Sequence, residues 1–222
     1  MLTKEQLCRM MDHTNANPWA TNEDIEKLCN ECRKYNFAMA ATTSAQAARV
    51  HELLAGTDVH TGGAVAFPFG QMTIEAKAFE TMDDILNGAD EVDYVINITE
   101  MKAHHYDYIK KEMQTITDIC HKYGRLVKVI FETCYLTKDE IIDLCKIANE
   151  VNPDFCKTST GFGKEGAKVE DVKLMRENLS KRIKVKASGG IRTIDQALAM
   201  IKAGAERIGT SHAVEIVEQY KG

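Results

Sequence analysis

The stretch LVKVIFETCYLTKDEIIDLCKIANEVNPDFCKTST, residues 126–160, decides how the chain folds. It opens with a short apolar run rich in β-branched residues, LVKVIFE (126–132), and closes near another, DFCKT (154–158). Between them, TKDEIIDLCKIANEV (137–151) repeats apolar residues at helical period, and Thr137 with Glu140 forms a capping box at its start. Strand, helix and strand in that order imply two parallel strands joined by a crossover helix.

The same alternation runs outward in both directions. FAMAAT (37–42), GGAVAF (62–67) and EVDYVIN (91–97) read as strands upstream, with a short first strand in RMMDHT (9–14). IKVKAS (183–188) and AERIGT (205–210) follow downstream. Helical stretches at 21–35, 73–87, 106–123, 168–180 and 193–204 lie between them. Thr21 with Asp24 resembles a second capping box, and Gly88, Gly124 and Gly204 follow helix ends. Eight repeats of roughly 28 residues in 222 predict an α/β fold of one compact (β/α)8 barrel over 1–222. A short N-terminal helix is expected before the first strand. An open doubly wound sheet is the alternative, but no G-x-G-x-x-G follows the first strand to support it.

Composition narrows the function. Hydrophobic residues make up 44% and charged residues 27%, with a formal net charge of -5. This suits a soluble globular protein and argues against nucleic acid as a partner. No apolar run reaches the length of a membrane span, and the start lacks the apolar core of a signal peptide, so no membrane and a cytoplasmic location are expected. The seven cysteines are scattered. Cys29 and Cys32 form a lone C-x-x-C inside a helical pattern, better read as packed thiols than as a metal or redox pair. His104 and His105 are neighbours that cannot share a helix face, and read as surface residues.

In a (β/α)8 barrel the active site lies at the C-terminal ends of the strands. Those ends carry Asp12, Thr42, Asp93, Asn97, Glu132, Lys157 and Lys186. A lysine pointing into a barrel is costly unless paired or neutral. Strand period makes Lys184 and Lys186 face the same way, so Lys184 stays open as a residue of the strand base. Two close lysines disfavour each other's protonation, and an apolar wall disfavours charge on both. One amine can then be neutral near pH 7 and attack a carbonyl to form a Schiff base, while a carboxylate such as Asp93 moves protons. The loops ASGGIRT (187–193) and GTSHAVE (209–215) follow the seventh and eighth strands, the usual phosphate-binding place of this fold. Gly189 and Gly190 let backbone N–H groups approach an oxyanion, and Ser211 lies near the start of the last helix.

DHT (12–14), FPFG (67–70), GADEVDYVIN (88–97), KVIFET (128–133), DFCKTSTGF (154–162), VKASGGIRT (185–193) and AGAERIGTS (203–211) together resemble the 2-deoxyribose-5-phosphate aldolase family. The resemblance implies a class I, Schiff-base aldolase needing no cofactor or metal. Its substrates would be a phosphorylated sugar and a small aldehyde, and the protein would form a homodimer or higher homo-oligomer. It implies Lys157 as the Schiff-base lysine, Lys186 as the lysine keeping that amine reactive, and Asp93 as the proton relay. Asp12, Thr14, Lys128, Thr158, Thr160, Gly161, Gly189, Gly190 and Ser211 form the implied substrate-binding set. Three places depart from the family pattern: Asn15 and Ala16 after DHT, Ala41 and Thr42 after the second strand, and His212 beside Ser211. These put the donor and acceptor more in question than the lysine chemistry. The alternatives are a family aldolase with another donor or sugar phosphate, and a non-catalytic sugar-phosphate-binding paralogue.

Overall fold

A computed structural model describes residues 2–222. Eight parallel strands close on themselves in chain order: β1 (Met11–Thr14), β2 (Met39–Ala41), β3 (His60–Val65), β4 (Glu91–Val95), β5 (Leu126–Ile130), β6 (Phe155–Lys157), β7 (Lys184–Ser188) and β8 (Arg207–Thr210). β8 pairs back onto β1 and completes the predicted barrel. The helix α1 (Lys4–Cys8) precedes β1. Around the barrel stand α2 (Asn22–Tyr35), α3 (Ala47–Leu54), α4 (Ile74–Leu86), α5 (Ile98–Lys102), α6 (Tyr106–Lys122), α7 (Lys138–Val151), α8 (Val169–Asn178), α9 (Ile194–Lys202) and α10 (Ala213–Gln219). Among the described residues no helix is long and apolar enough to cross a membrane.

Local chemistry starts and stops these elements as expected. Thr21 with Asp24 and Thr137 with Glu140 form complete capping boxes. Gly88, Gly124 and Gly204 adopt positive φ after their helices. Two details differ. β3 begins at His60, before the apolar run, where it lies in register with Met39 of β2; it ends before Ala66, whose φ is 51°. α3 and α5 fall outside the named helical stretches, since their buried faces are only Ala47, Val50 and Leu54 in the first and Met101 in the second.

Strand alternation divides the residues of each strand between two environments. Tyr94, Val127, Val129, Cys156, Val185 and Ile208 join Ile109, Met113, Ile116 and Leu144 of the helices in one buried apolar cluster. The interior of such a barrel is ordinarily filled by branched apolar side chains. Here Asp12, Glu91, Asp93, Lys128, Lys157, Lys186 and Arg207 share an ionic network instead. Register builds that network directly: Asp93 lies opposite Lys128, and Lys157 opposite Lys186. Gly209 leaves room for it, since a Cβ there would stand 2.9 Å from Lys186 Cε.

Candidate active site

Asp93 is the hub. Its Oδ1 accepts from Lys128 Nζ at 2.7 Å, and its Oδ2 accepts from both Lys157 Nζ and Lys186 Nζ, each at 2.7 Å. Lys186 also reaches Asp12 Oδ2 at 2.5 Å, and Arg207 Nη1 reaches Asp12 Oδ1 at 2.6 Å. Lys128 closes the network onto Glu91. Three carboxylates (Asp12, Glu91, Asp93) thus face four cationic side chains (Lys128, Lys157, Lys186, Arg207). A buried cluster with surplus positive charge is relieved when one amine gives up its proton.

Lys157 is the amine placed to do so. Burial, the largest influence, pushes its pKa down from 10.5 to about 8; Asp93 pulls the other way, and the charges on Lys186 and Lys128 add to the lowering. Desolvation therefore leads and the neighbouring lysine assists, which ranks the two causes that the sequence left side by side. Lys128 moves in the opposite direction: Asp93, Glu91 and Asp12 overcome its burial and raise its pKa. Asp93 is itself buried, yet Lys128, Lys157 and Lys186 hold its carboxyl well below the ordinary range.

Lys157 is also the network lysine that reaches open space. It is 7% exposed, against 0% for Lys128 and Lys186, and it lines a cleft of roughly 330 Å³ at the C-terminal rim. Thr14, Asn15, Ala16, Thr160, Gly161, Gly189, Gly190, Ser211 and His212 line the same cleft. Gly189 and Gly190 have φ of 88° and 76°, a backbone that other residues rarely adopt. Ser211 lies just before His212, which caps α10, and its Oγ is 3.0 Å from His212 Nδ1.

Asp12, Lys128 and Thr158 of the expected substrate-binding set lie outside the cleft lining. Asp12 and Lys128 are fully buried within the ionic network, where they meet Lys186 and Asp93. Thr158 is buried between β6 and β7, accepting from Ser188 N at 3.2 Å. Thr160 lines the cleft, but its backbone N–H and its hydroxyl both donate to Glu132. Lys184 is exposed at the start of β7, over the Phe155 ring. Thr42 is buried and follows β2, whose Met39 Sδ lies 3.3 Å from Lys128 Nζ; alternation therefore turns Ala41 to the barrel interior and Thr42 away. Sequence reasoning did not single out Glu91 or Arg207. Glu91 was legible in principle, two residues before Asp93 and therefore on the same strand face. Phe162 and Arg192 of the cleft wall were quoted within motifs but given no role.

All seven cysteines are free, and Cys29 and Cys32 are buried on α2, where burial raises both thiol pKa values. His105 pairs with Glu100 and His104 with Tyr106, both exposed contacts.

A closed parallel barrel that presents one depressed-pKa amine to an open cleft at its C-terminal rim has the architecture of a carbonyl-attacking barrel enzyme. Residues 7–216 match the model of the DeoC/LacD family aldolases. A deoxyribose-phosphate aldolase of Lactobacillus acidophilus is 56% identical over 99% of this chain and 92% of its own length. One of Bacteroides thetaiotaomicron is 51% identical over 99% and 92%. The deoxyribose phosphate aldolase of Aeropyrum pernix, a solved structure described as tetrameric, superposes with a TM-score of 0.93 at 30% identity, covering 100% of this chain and 94% of that one. The chain belongs to the DeoC/LacD family of aldolases.

Proposed function

We propose that this aldolase reversibly cleaves 2-deoxy-D-ribose 5-phosphate to acetaldehyde and D-glyceraldehyde 3-phosphate through a Schiff base on Lys157. The observation that carries the reading is the Lys157 amine: depressed to about 8, held 2.7 Å from Asp93, and opening onto the cleft. The names of the relatives at 56% and 51% identity supply the substrate.

Neutral Lys157 attacks the C1 aldehyde of the open-chain sugar, and loss of water leaves an iminium. The iminium withdraws electrons from C2, so the C3 hydroxyl can lose its proton as the C2–C3 bond breaks. The electron pair of that bond passes into a two-carbon enamine, and glyceraldehyde 3-phosphate departs. Protonation of the enamine carbon and hydrolysis of the iminium release acetaldehyde and restore the lysine. Asp93 contacts Lys157 and Lys186 through the same oxygen, so it can pass a proton between them and the reacting atoms. Its own low pKa makes it a relay rather than a store for that proton. Lys186 holds Asp93 in place and adds positive charge that disfavours protonation of Lys157. Gly161, Gly189, Gly190 and Ser211 form the end of the cleft assigned to the phosphate, with Thr14 and Thr160 along its walls. Asp12 and Lys128 support the substrate-binding set from within the network, and Thr158 from between its strands.

A second reading, a family aldolase that takes a bulkier donor, is favoured by Asn15 and Ala16, which line the cleft with a small and a polar side chain. The protein is assigned to the cytoplasm and to deoxyribose phosphate degradation, with assembly as a homo-oligomer. Phe79 and Leu86 of α4, 77% and 73% exposed, fit such an assembly. Turnover of deoxyribose 5-phosphate, with borohydride trapping of acetaldehyde on the Lys157 peptide, tests the function. Turnover without a Lys157 adduct removes the mechanism. A Lys157 adduct with a better substrate than deoxyribose 5-phosphate selects the second reading.

A further inference from the structure

Glu132 is anomalous in two independent ways. It is 1% exposed although it carries a carboxylate, and its φ of 54° is unusual for a residue with a side chain. Burial also raises its pKa, against the bonds from Thr160 that lower it. None of the ionic pairs of the barrel interior includes it.

Its partners lie in the loop after β6. Glu132 accepts from Thr160 N at 3.2 Å and from the Thr160 hydroxyl, and that hydroxyl in turn accepts from Phe162 N at 3.0 Å. The loop closes down on the carboxylate: a Cβ at Gly163 would stand 3.1 Å from Glu132 Cδ. The backbone of residue 132 is held as well, because Phe131 N donates to Lys157 O and Thr133 N to Thr158 O, each at 2.9 Å. The left-handed turn between those bonds aims the side chain at the loop. The same loop forms one wall of the reaction cleft, through Thr160, Gly161 and Phe162. Phe162 also lines a second cleft with Phe69 and Tyr135, so it borders both spaces, and its ring meets that of Phe67 edge-on at 5.4 Å.

We infer that Glu132 is a positioning residue for the acceptor end of the substrate: its carboxylate fastens the Thr160–Phe162 loop, which fixes the wall between the two clefts. The inference rests on the aldolase reading for its substrate, but its mechanical part does not. A carboxylate can only accept, so ionised Glu132 takes both donors of Thr160. Thr160 then acts through the shape of the loop rather than by donating to the phosphate.

The test combines Glu132→Ala, Glu132→Gln and Thr160→Val with two readouts. Hydrogen exchange at the amides of residues 160 and 162 reports the loop without reference to activity. Steady-state kinetics with deoxyribose 5-phosphate reports the cleft. Glu132→Ala is expected to speed exchange at both amides and raise KM about 10-fold or more, the loss of a charged acceptor, with kcat changed by less than ~3-fold. Glu132→Gln keeps an acceptor oxygen and should stay within ~3-fold of the parent in exchange and KM. Thr160→Val removes the hydroxyl that holds Phe162 N but keeps the backbone bond to Glu132, so it should free the amide of Phe162 and raise KM in a folded protein. Parent-like exchange and KM in Glu132→Ala overturn the inference, as does a Glu132→Gln variant as defective as Glu132→Ala. If Glu132→Ala does not fold, Thr160→Val decides alone, and unchanged exchange at Phe162 rejects the proposal. Absence of a Lys157 adduct in the parent would sink the functional reading, while the exchange data would still judge the loop.

Discussion

Two buried lysine–carboxylate contacts of nearly equal length serve different ends. Lys77 Nζ lies 2.6 Å from Glu112 between α4 and α6, and Lys157 Nζ lies 2.7 Å from Asp93 inside the barrel. Burial is the largest influence on both lysines and lowers both pKa values, so neither depth nor direction of shift separates them. Charge balance and access do. Lys77 has one carboxylate partner and donates its other bond to Val95 O at 2.7 Å, while Glu112 also accepts from Asn97 N. That pair is neutral as a unit and completely enclosed. Asp93 is shared among three lysines, and Lys157 opens onto a cleft. On the proposed mechanism, burial alone makes a structural lysine, and burial with surplus cations and an opening makes the candidate nucleophile.

The largest expected effect falls on activity. Lys157→Ala and Lys157→Arg should reduce aldol cleavage to background, because among the described residues no other enclosed amine lines the cleft and a guanidinium stays protonated. Substantial turnover by either purified variant would erase the contrast between the lysines. The reverse holds at the outer pair. Lys77→Met should cost about 3–5 kcal/mol in denaturant unfolding by stranding Glu112, and Lys77→Met with Glu112→Leu should recover most of it. Activity per folded molecule should persist in both, and its loss would tie this pair to the chemistry.

The fold was legible because its physics is local. Strands covered on both faces read as short apolar runs, and Thr21, Thr137 and the helix-ending glycines punctuate them. The lysines of the site were legible too, since Lys157 and Lys186 interrupt such runs. Asp93 and Asp12 were named with them, but Arg207 was not, because it meets Asp12 only when β8 closes onto β1, a pairing between the two ends of the chain. Glu132 was placed at a strand end without a purpose, since its reach to Thr160 depends on a backbone turn that composition does not announce.

A third effect concerns stability. The Lys157 pKa falls from 10.5 to about 8 on folding, so its protonated form costs stability below pH 8, and the cost fades between 8 and 10.5. Lys157→Met should therefore be more stable than the parent at pH 7, by on the order of 3 kcal/mol, with the lead shrinking as pH rises through that window. A variant less stable than the parent at pH 7 would mean that the Asp93 contact outweighs desolvation. At the far end of the cleft, Ser211→Glu should raise KM for deoxyribose 5-phosphate well above its effect on unphosphorylated deoxyribose. Equal effects would move the phosphate elsewhere. The smallest change is expected at Ala16: Ala16→Leu should selectively reduce use of propanal against acetaldehyde, by roughly 10- to 200-fold for one methylene-sized contact. An unchanged ratio would show that other residues close the donor end.

The central claim is that surplus charge and access, added to burial, make Lys157 the reactive amine. Peptide-resolved borohydride trapping of acetaldehyde across a pH series reads this directly by comparing adducts at Lys157, Lys186, Lys128 and Lys77. The adduct should form at Lys157, with a rate that climbs to a plateau around a midpoint near 8, while the other three stay unmodified in the folded protein. An adduct at Lys77 or Lys186 that matches Lys157, or a Lys157 midpoint close to that of an ordinary lysine, would contradict it.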